Sequence, residues 1–348
     1  MPAAWLVAPA KAAGTIWNEV TGDAGYGLPV AGVQQGDALL SRREAGGGRA
    51  LLRWPWGDTL GDNARPAFDE TAAIATLPPN ATDPMVPVRD GAFWKDPARW
   101  LLWREEAAIH AVDTSGRRQK LVLDAPPASL LRPALQREGG PVEVYILARD
   151  RLRVLRARLP RDGRAAARIE VATDLPLAAG AGCAGFARDG RPAVGLWAMA
   201  AEELTLLLFH DGHLHRAAIG GVRPLSPPAF LADSNGPLVG VVVQSASGIG
   251  LAETVFVPGR GITLTPLAPL RNGRKAALVY RPWGAGAPRA HVVLATEDGS
   301  FHSLSPGVAP SRLTPPAPPV RPLVLVPGGL GAFLLCCDPM TGPEMASV

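Results

Sequence analysis

The sequence predicts an all-β chain of seven four-stranded units, and two interleaved markers carry that prediction. The first is a proline that closes a strand: Leu28-Pro29, Leu77-Pro78, Ala125-Pro126, Leu175-Pro176, Arg223-Pro224, Ala268-Pro269 and Thr314-Pro315. Successive prolines lie about 45–50 residues apart, the period of a four-stranded propeller blade. The second marker is a short apolar strand after a Gly- or Pro-containing turn. These strands are Ala50-Leu51-Leu52, Trp100 to Trp103, Val142 to Leu147, Val194 to Trp197, Val239 to Val243, His291 to Leu294 and Phe333 to Cys336. The two series have the same count and alternate along the chain.

Each unit then reads as strands A to D. Strand A follows the proline. Strand B is the apolar run, whose near-continuous hydrophobicity fits a strand packed on both faces. Strand C follows a tight polar turn, and D ends at the next proline, which suits an outer edge where no ladder donor is lost. Arg188-Asp189-Gly190, Asp233-Ser234-Asn235-Gly236 and Pro327-Gly328-Gly329 are hairpin-turn sequences. At the N-terminus only two strands are expected, around Trp5-Leu6-Val7 and Thr15-Ile16-Trp17. At the C-terminus two more lie around Val324-Leu325-Val326 and Phe333-Leu334-Leu335. Pooled, they complete one blade and leave no orphan half-sheet. The expectation is therefore a seven-bladed β-propeller of four-stranded antiparallel blades. Its ring is closed by N-terminal C and D strands and C-terminal A and B strands in one blade. Two long connections interrupt the rhythm, Trp54 through Ala67 and Phe93-Trp94-Lys95-Asp96-Pro97. No linker or low-complexity run divides the chain, so residues 1–348 read as a single domain.

The segment Ile109-His110-Ala111-Val112-Asp113-Thr114-Ser115-Gly116 looks like a C strand with its Asp and following turn. In architecture the chain resembles the WD40-like β-propellers, with degenerate repeats. The Trp-Asp pair of that family does not occur, so no site residue carries over from it. The resemblance implies a fold, and function on this fold has to be argued from a site.

The totals narrow the choices. A net charge of +4 over 348 residues is weak and does not point to nucleic acid. Arg far outnumbers Lys, the lysines being Lys11, Lys95, Lys120 and Lys275. With the excess of Ala, Gly and Pro this reads as a coding bias, which discounts single arginines. Cys183, Cys336 and Cys337 form neither a disulfide framework nor a metal-ligand spacing. They read as reduced, buried thiols. The N-terminus lacks the basic region of a signal peptide, and no apolar run approaches the ~20 residues of a membrane span. A soluble protein of a reducing, cytoplasmic compartment is expected. No cofactor motif, P-loop or nucleophile elbow occurs, and no cofactor is expected.

Four constellations carry candidate chemistry. In Phe209-His210-Asp211-Gly212-His213-Leu214-His215, Asp-Gly favours a two-residue turn. His210 then lies opposite His213, with His215 two further along on the same face. Three such imidazoles would suit a metal such as zinc. The competing reading is a polar outer hairpin with solvated histidines. Arg151, Arg153, Arg156 and Arg158 lie in a dense arginine series that would meet an anionic surface. The competing reading is a solvated face balanced by Glu143, Asp150, Asp162 and Glu170. Trp54, Trp56 and Trp94 in the long connections are either core caps or interface anchors. Acidic residues at the B–C turns, among them Glu105, Glu202, Glu297 and Asp298, are read as exposed, with nothing to split their pKa values.

The reading that follows is a non-enzymatic protein–protein interaction scaffold or a subunit of a larger assembly, with a protein partner, acidic in the contact region. The alternatives are a carbohydrate-binding propeller lectin, and a lyase or hydrolase acting at a central channel with a metal at the histidine hairpin.

Overall fold

The computed structural model describes the backbone of residues 4–9, 15–21, 26–30, 37–43, 49–55, 73–78, 80–85, 87–89, 100–106, 108–113, 117–122, 130–136, 142–147, 151–159, 166–176, 179–280, 290–313, 321–327 and 332–337. Side chains are described over 180–280 and 290–313 and at parts of 77–158. Among the described residues all regular structure is β, and the strands sort into seven sheets.

The chain opens with β1 (Ala4–Pro9) and β2 (Thr15–Thr21). The second sheet is β3 (Tyr26–Val30), β4 (Asp37–Arg43), β5 (Arg49–Pro55) and β6 (Ala73–Leu77), in that order. The third contains β7 (Thr82–Met85), β9 (Trp100–Glu105), β10 (Ala108–Asp113) and β11 (Arg118–Val122). The fourth contains β12 (Leu130–Gln136), β13 (Val142–Leu147), β14 (Arg151–Leu159) and β15 (Ala166–Pro176), extended by the short β8 (Val88–Arg89), which pairs parallel to β12. The fifth is β16 (Ala179–Phe186), β17 (Pro192–Ala200), β18 (Glu203–His210) and β19 (His213–Gly220). The sixth holds β20 (Val222–Pro224), β21 (Ala229–Asp233), β22 (Gly236–Ser245), β23 (Gly248–Val255) and β24 (Thr263–Ala268). The seventh is β25 (Gly273–Tyr280), β26 (Ala290–Thr296), β27 (Phe301–Ser305) and β28 (Val308–Leu313). Last come β29 (Arg321–Pro327) and β30 (Ala332–Cys337), which join β1 and β2 in one sheet of order β2-β1-β30-β29. There Trp5, Leu6 and Val7 are register partners of Cys336, Leu335 and Leu334. Consecutive antiparallel strands repeated sheet after sheet, with both chain ends sharing a sheet, are the strand grammar of a β-propeller.

The chain divides into two compact units. One comprises Met1–Pro79, Ser247–Gly250 and Thr265–Val348; the other comprises Asn80–Ala246 and Leu251–Leu264.

Burial follows the expected strand roles. The apolar β22 is buried on both faces over Pro237 to Val243, as is β18 from Leu204 to His210. The outer strands alternate or lie open: β19 buries only His215 and Ala217, and β28 only Leu313. Between the fifth and sixth sheets Ala193, Leu204, Leu206 and Leu208 pack against Phe230, Val239, Val241 and Val243. The first strand of the sixth sheet is broken between β20 and β21 because Pro227 and Pro228 cannot donate to a ladder. Ser226 repairs the gap. Its Oγ accepts the Val242 amide at 3.0 Å, and its carbonyl accepts Trp197 Nε1 from the fifth sheet at 3.2 Å.

One blade is phased differently from the sequence expectation, and Pro224, expected to end a fourth strand, instead lies in β20, the first strand of the sixth sheet. Pro29 lies inside β3, and Ala50-Leu51-Leu52 belongs to β5, the third strand of its sheet rather than the second. The second strand is β4, whose Ala38-Leu39-Leu40 is an equally apolar core flanked by Asp37 and Arg42. The long connection therefore separates the third and fourth strands. Trp54 sits at the end of β5 as the register partner of Ala38, not in an irregular loop.

Candidate functional site

The histidine hairpin forms as its turn chemistry dictates. Asp211 and Gly212 have φ of 49° and 78°, the left-handed pair a type I′ turn requires. His210 and His213 are direct partners, and His215 faces Leu208. The three imidazoles nevertheless part company. His210 and His215 are each only 8% exposed, whereas His213 is exposed, with its Nδ1 2.9 Å from the Asp211 carbonyl. No group of three metal-ligating side chains converges among the described residues.

Phe256 packs against two of them. Its ring meets His210 at 5.4 Å between centroids and His215 at 6.1 Å, edge-to-face in both cases. His215 Nε2 lies 3.1 Å from Thr254 Oγ1 on β23. Burial lowers the His215 pKa from its ordinary value, with a ring hydrogen bond to the Arg260 carbonyl partly opposing, so the neutral imidazole is favoured. His210 Nδ1 is 3.2 Å from the Pro192 carbonyl, a contact that requires the proton on Nδ1. Its Nε2 lies 3.4 Å from Asp189 Oδ2. Asp189 and Asp211 are the turn residues of the two hairpins at this end of the fifth sheet. Arg191 ties them together, with Nε 3.9 Å from Asp189 and Nη1 on Asp211 Oδ2. These last groups are about half exposed, so water screens the network and its contribution is small. Sequence reasoning missed the Asp189–His210 tie. Its only signal was a second Asp-Gly turn, Asp189-Gly190, on the preceding hairpin.

Two further polar clusters lie at B–C turns. On β9 and β10, Trp103 and His110 are register partners and their rings stack at 5.4 Å. Glu105 accepts Trp103 Nε1 at 2.7 Å, and its other oxygen is 3.8 Å from His110 Nε2. Burial lowers the His110 pKa, against the pull of Glu105. At the β26–β27 turn, Asp298 Oδ1 accepts the hydroxyls of Thr296 and Ser300, the latter at 2.9 Å. These bonds hold the Asp298 carboxyl down at about 2. His302 Nε2 is 3.1 Å from Ser300 Oγ, which also lies 2.6 Å from Thr296 Oγ1, so Ser300 sits inside the hydrogen-bonded turn. Cys183 packs beside the core between the fifth and sixth sheets, and burial pushes its thiol up to about 12. It is no nucleophile near neutral pH.

The arginine series occupies β14. The backbone alternation gives Arg156 and Arg158 one parity and Arg151 and Arg153 the other, as the sequence expects. Arg156 is the register partner of Arg168 on β15, and Arg158 of Glu143 on β13. Arg158 is exposed, with Nε 3.3 Å from Glu143 Oε1. Trp56 and Trp94 lie outside the described residues.

No family model and no curated protein sequence matches the chain. Solved structures do. The Dos1 propeller shares 7% identity, covers 90% of this chain and 93% of its own, and superposes with a TM-score of 0.48. The WD40 domain of SCAP from fission yeast shares 8%, covering 82% and 70%, with a TM-score of 0.46. The Aleuria aurantia lectin, solved with α-methyl-L-fucoside, shares 11%, covering 82% and 93%, with a TM-score of 0.44. Likenesses this distant assign no activity to the chain.

Proposed function

We propose that the chain is a non-enzymatic protein-interaction scaffold that holds an acidic partner on the Arg156–Arg158–Arg168 face of the fourth sheet. The register carries this reading. Arg156 and Arg168 are direct cross-strand partners of like charge, and Arg158 is two residues along on the same face. Like charges placed opposite each other destabilise a sheet by roughly 0.2–1 kcal/mol. Glu143 lies across from Arg158 and offsets only part of that charge. An acidic surface would neutralise the rest and turn a folding cost into binding free energy. The polar clusters elsewhere support the same reading, since Ser300, His215 and Cys183 are committed to structural contacts.

The test is co-purification of the native protein with its partner, followed by binding in graded salt. Arg156→Glu and Arg168→Glu, made singly and together, should weaken capture of an acidic partner, and wild-type affinity should fall as salt rises. Unchanged capture by the double variant would refute the assignment of this face. A salt-insensitive interaction would refute its electrostatic basis.

A further inference from the structure

We infer that β19 is an acceptor edge for an extended acidic peptide, which would add to the fifth sheet as a further strand. The position is independent of the arginine face. β19 ends its sheet and pairs with β18 over eight consecutive residues, from His210↔His213 to Glu203↔Gly220, without a register shift. A strand edge of this kind presents a row of backbone donors and acceptors, and proteins usually blunt it with proline, bulges or brevity. The other outer strands are blunted in those ways. β28 contains Pro310 and a register shift, β24 contains Pro266, and β15 has two register shifts and ends at Pro176. β2 and β6 pair through register shifts, and β11 is five residues long. Among the described residues β19 is the longest outer strand with neither device.

The turn settles which groups face outward. In a two-residue hairpin the closing pair, here His210 and His213, exchanges both backbone hydrogen bonds. The alternation then turns the amides of Leu214, Arg216, Ala218 and Gly220 away from β18. The same four residues are exposed. The charge at the middle of the strand is positive. Arg216 is exposed there and Arg223 beyond it, and the acids that flank the strand stand at its two ends, Asp211 at the turn and Glu203 across from Gly220. An incoming strand with carboxylates at alternate positions would pair with the free edge and set a carboxylate against Arg216. Backbone pairing would supply affinity and Arg216 the selectivity, as in other strand-addition complexes.

The probe is a blocked eight-residue peptide alternating Thr and Glu, with the Thr–Lys counterpart as control, and the readout is amide hydrogen exchange of the full chain. At millimolar peptide the Thr–Glu probe should slow exchange of the outward amides of Leu214, Arg216 and Ala218 at least fivefold, and the Thr–Lys peptide should not. Ala218→Pro removes an outward donor without touching the β18 ladder and should abolish the protection. Arg216→Glu should weaken the Thr–Glu probe about tenfold and favour the Thr–Lys one. No slowing, equal slowing by both peptides, or protection that survives Arg216→Glu would overturn the proposal. The Arg216→Glu arm decides the matter if Ala218→Pro does not fold.

Discussion

Gly195 on β17 offers the sharpest test of how the fifth and sixth sheets pack. A Cβ placed there would lie 2.5 Å from Val239 Cγ2, 2.9 Å from Val239 Cβ and 3.1 Å from Cys183 Sγ. Val239 is fully buried, so it has nowhere to retreat. The glycine is thus present for space. Gly195→Ala forces the two sheets apart by some tenths of an ångström, and overpacking of this kind costs about 1–3 kcal/mol. Val239→Ala alone deletes two buried methyls and costs about 2 kcal/mol. In the double variant the Cγ2 clash disappears and the 2.9 Å approach to the residue 239 Cβ remains, so relief is partial. The double should be less destabilised than the sum of the singles by about 1 kcal/mol. Urea unfolding followed by tryptophan fluorescence measures this, Trp197 being packed against the same core. In a thermal scan the effects are small. At about 2.1 cal/mol/K per residue over 348 residues, each kcal/mol moves the midpoint by about 1.4 °C if the chain melts as one unit. Strict additivity, or a neutral Gly195→Ala, would refute the argument that Val239 closes on this backbone.

Gly212 makes the complementary case. Its φ is +78° and nothing lies within 4 Å of an added Cβ, so Gly212→Ala should cost about 1 kcal/mol through backbone strain alone, measured in the same urea titration. His215 gives a pH dependence. Its folded pKa is depressed, so between that value and the unfolded 6.5 the unfolded chain binds more protons. Its contribution is therefore complete above about pH 6.5 and is lost as pH falls below it. His215→Gln should flatten the stability profile between pH 7 and 5, and an unchanged slope would show that His215 is not held neutral against Phe256 and Thr254.

The sequence made the all-β class, many hairpin positions and several outer edges readable because their determinants are local. Asp211-Gly212 specifies a left-handed turn by itself, and Pro176 marks an outer strand because a missing donor is tolerated there. The phasing of the second sheet was not readable in the same way. Charged ends on β4 hid an apolar centre as good as that of β5, and only pairing decides between them.

The histidine hairpin shows where this kind of reading stops. Residue types and register correctly put three imidazoles on one face of a two-stranded ribbon. Whether that face opens on space for a metal or closes on a side chain depends on the neighbouring sheet. Phe256 lies 46 residues from His210 and 41 from His215 in sequence, and Thr254 lies 39 from His215. No periodicity within the hairpin encodes a contact at that separation. A metal site needs lone pairs that converge on one point. Here an aromatic ring lies edge-to-face with two imidazoles, and the third bonds to its own turn. The polar groups of one hairpin face are thus split here between buried and exposed positions. The next sheet decides their role, and partner chemistry is better sought on what it leaves uncovered, such as the edge of β19.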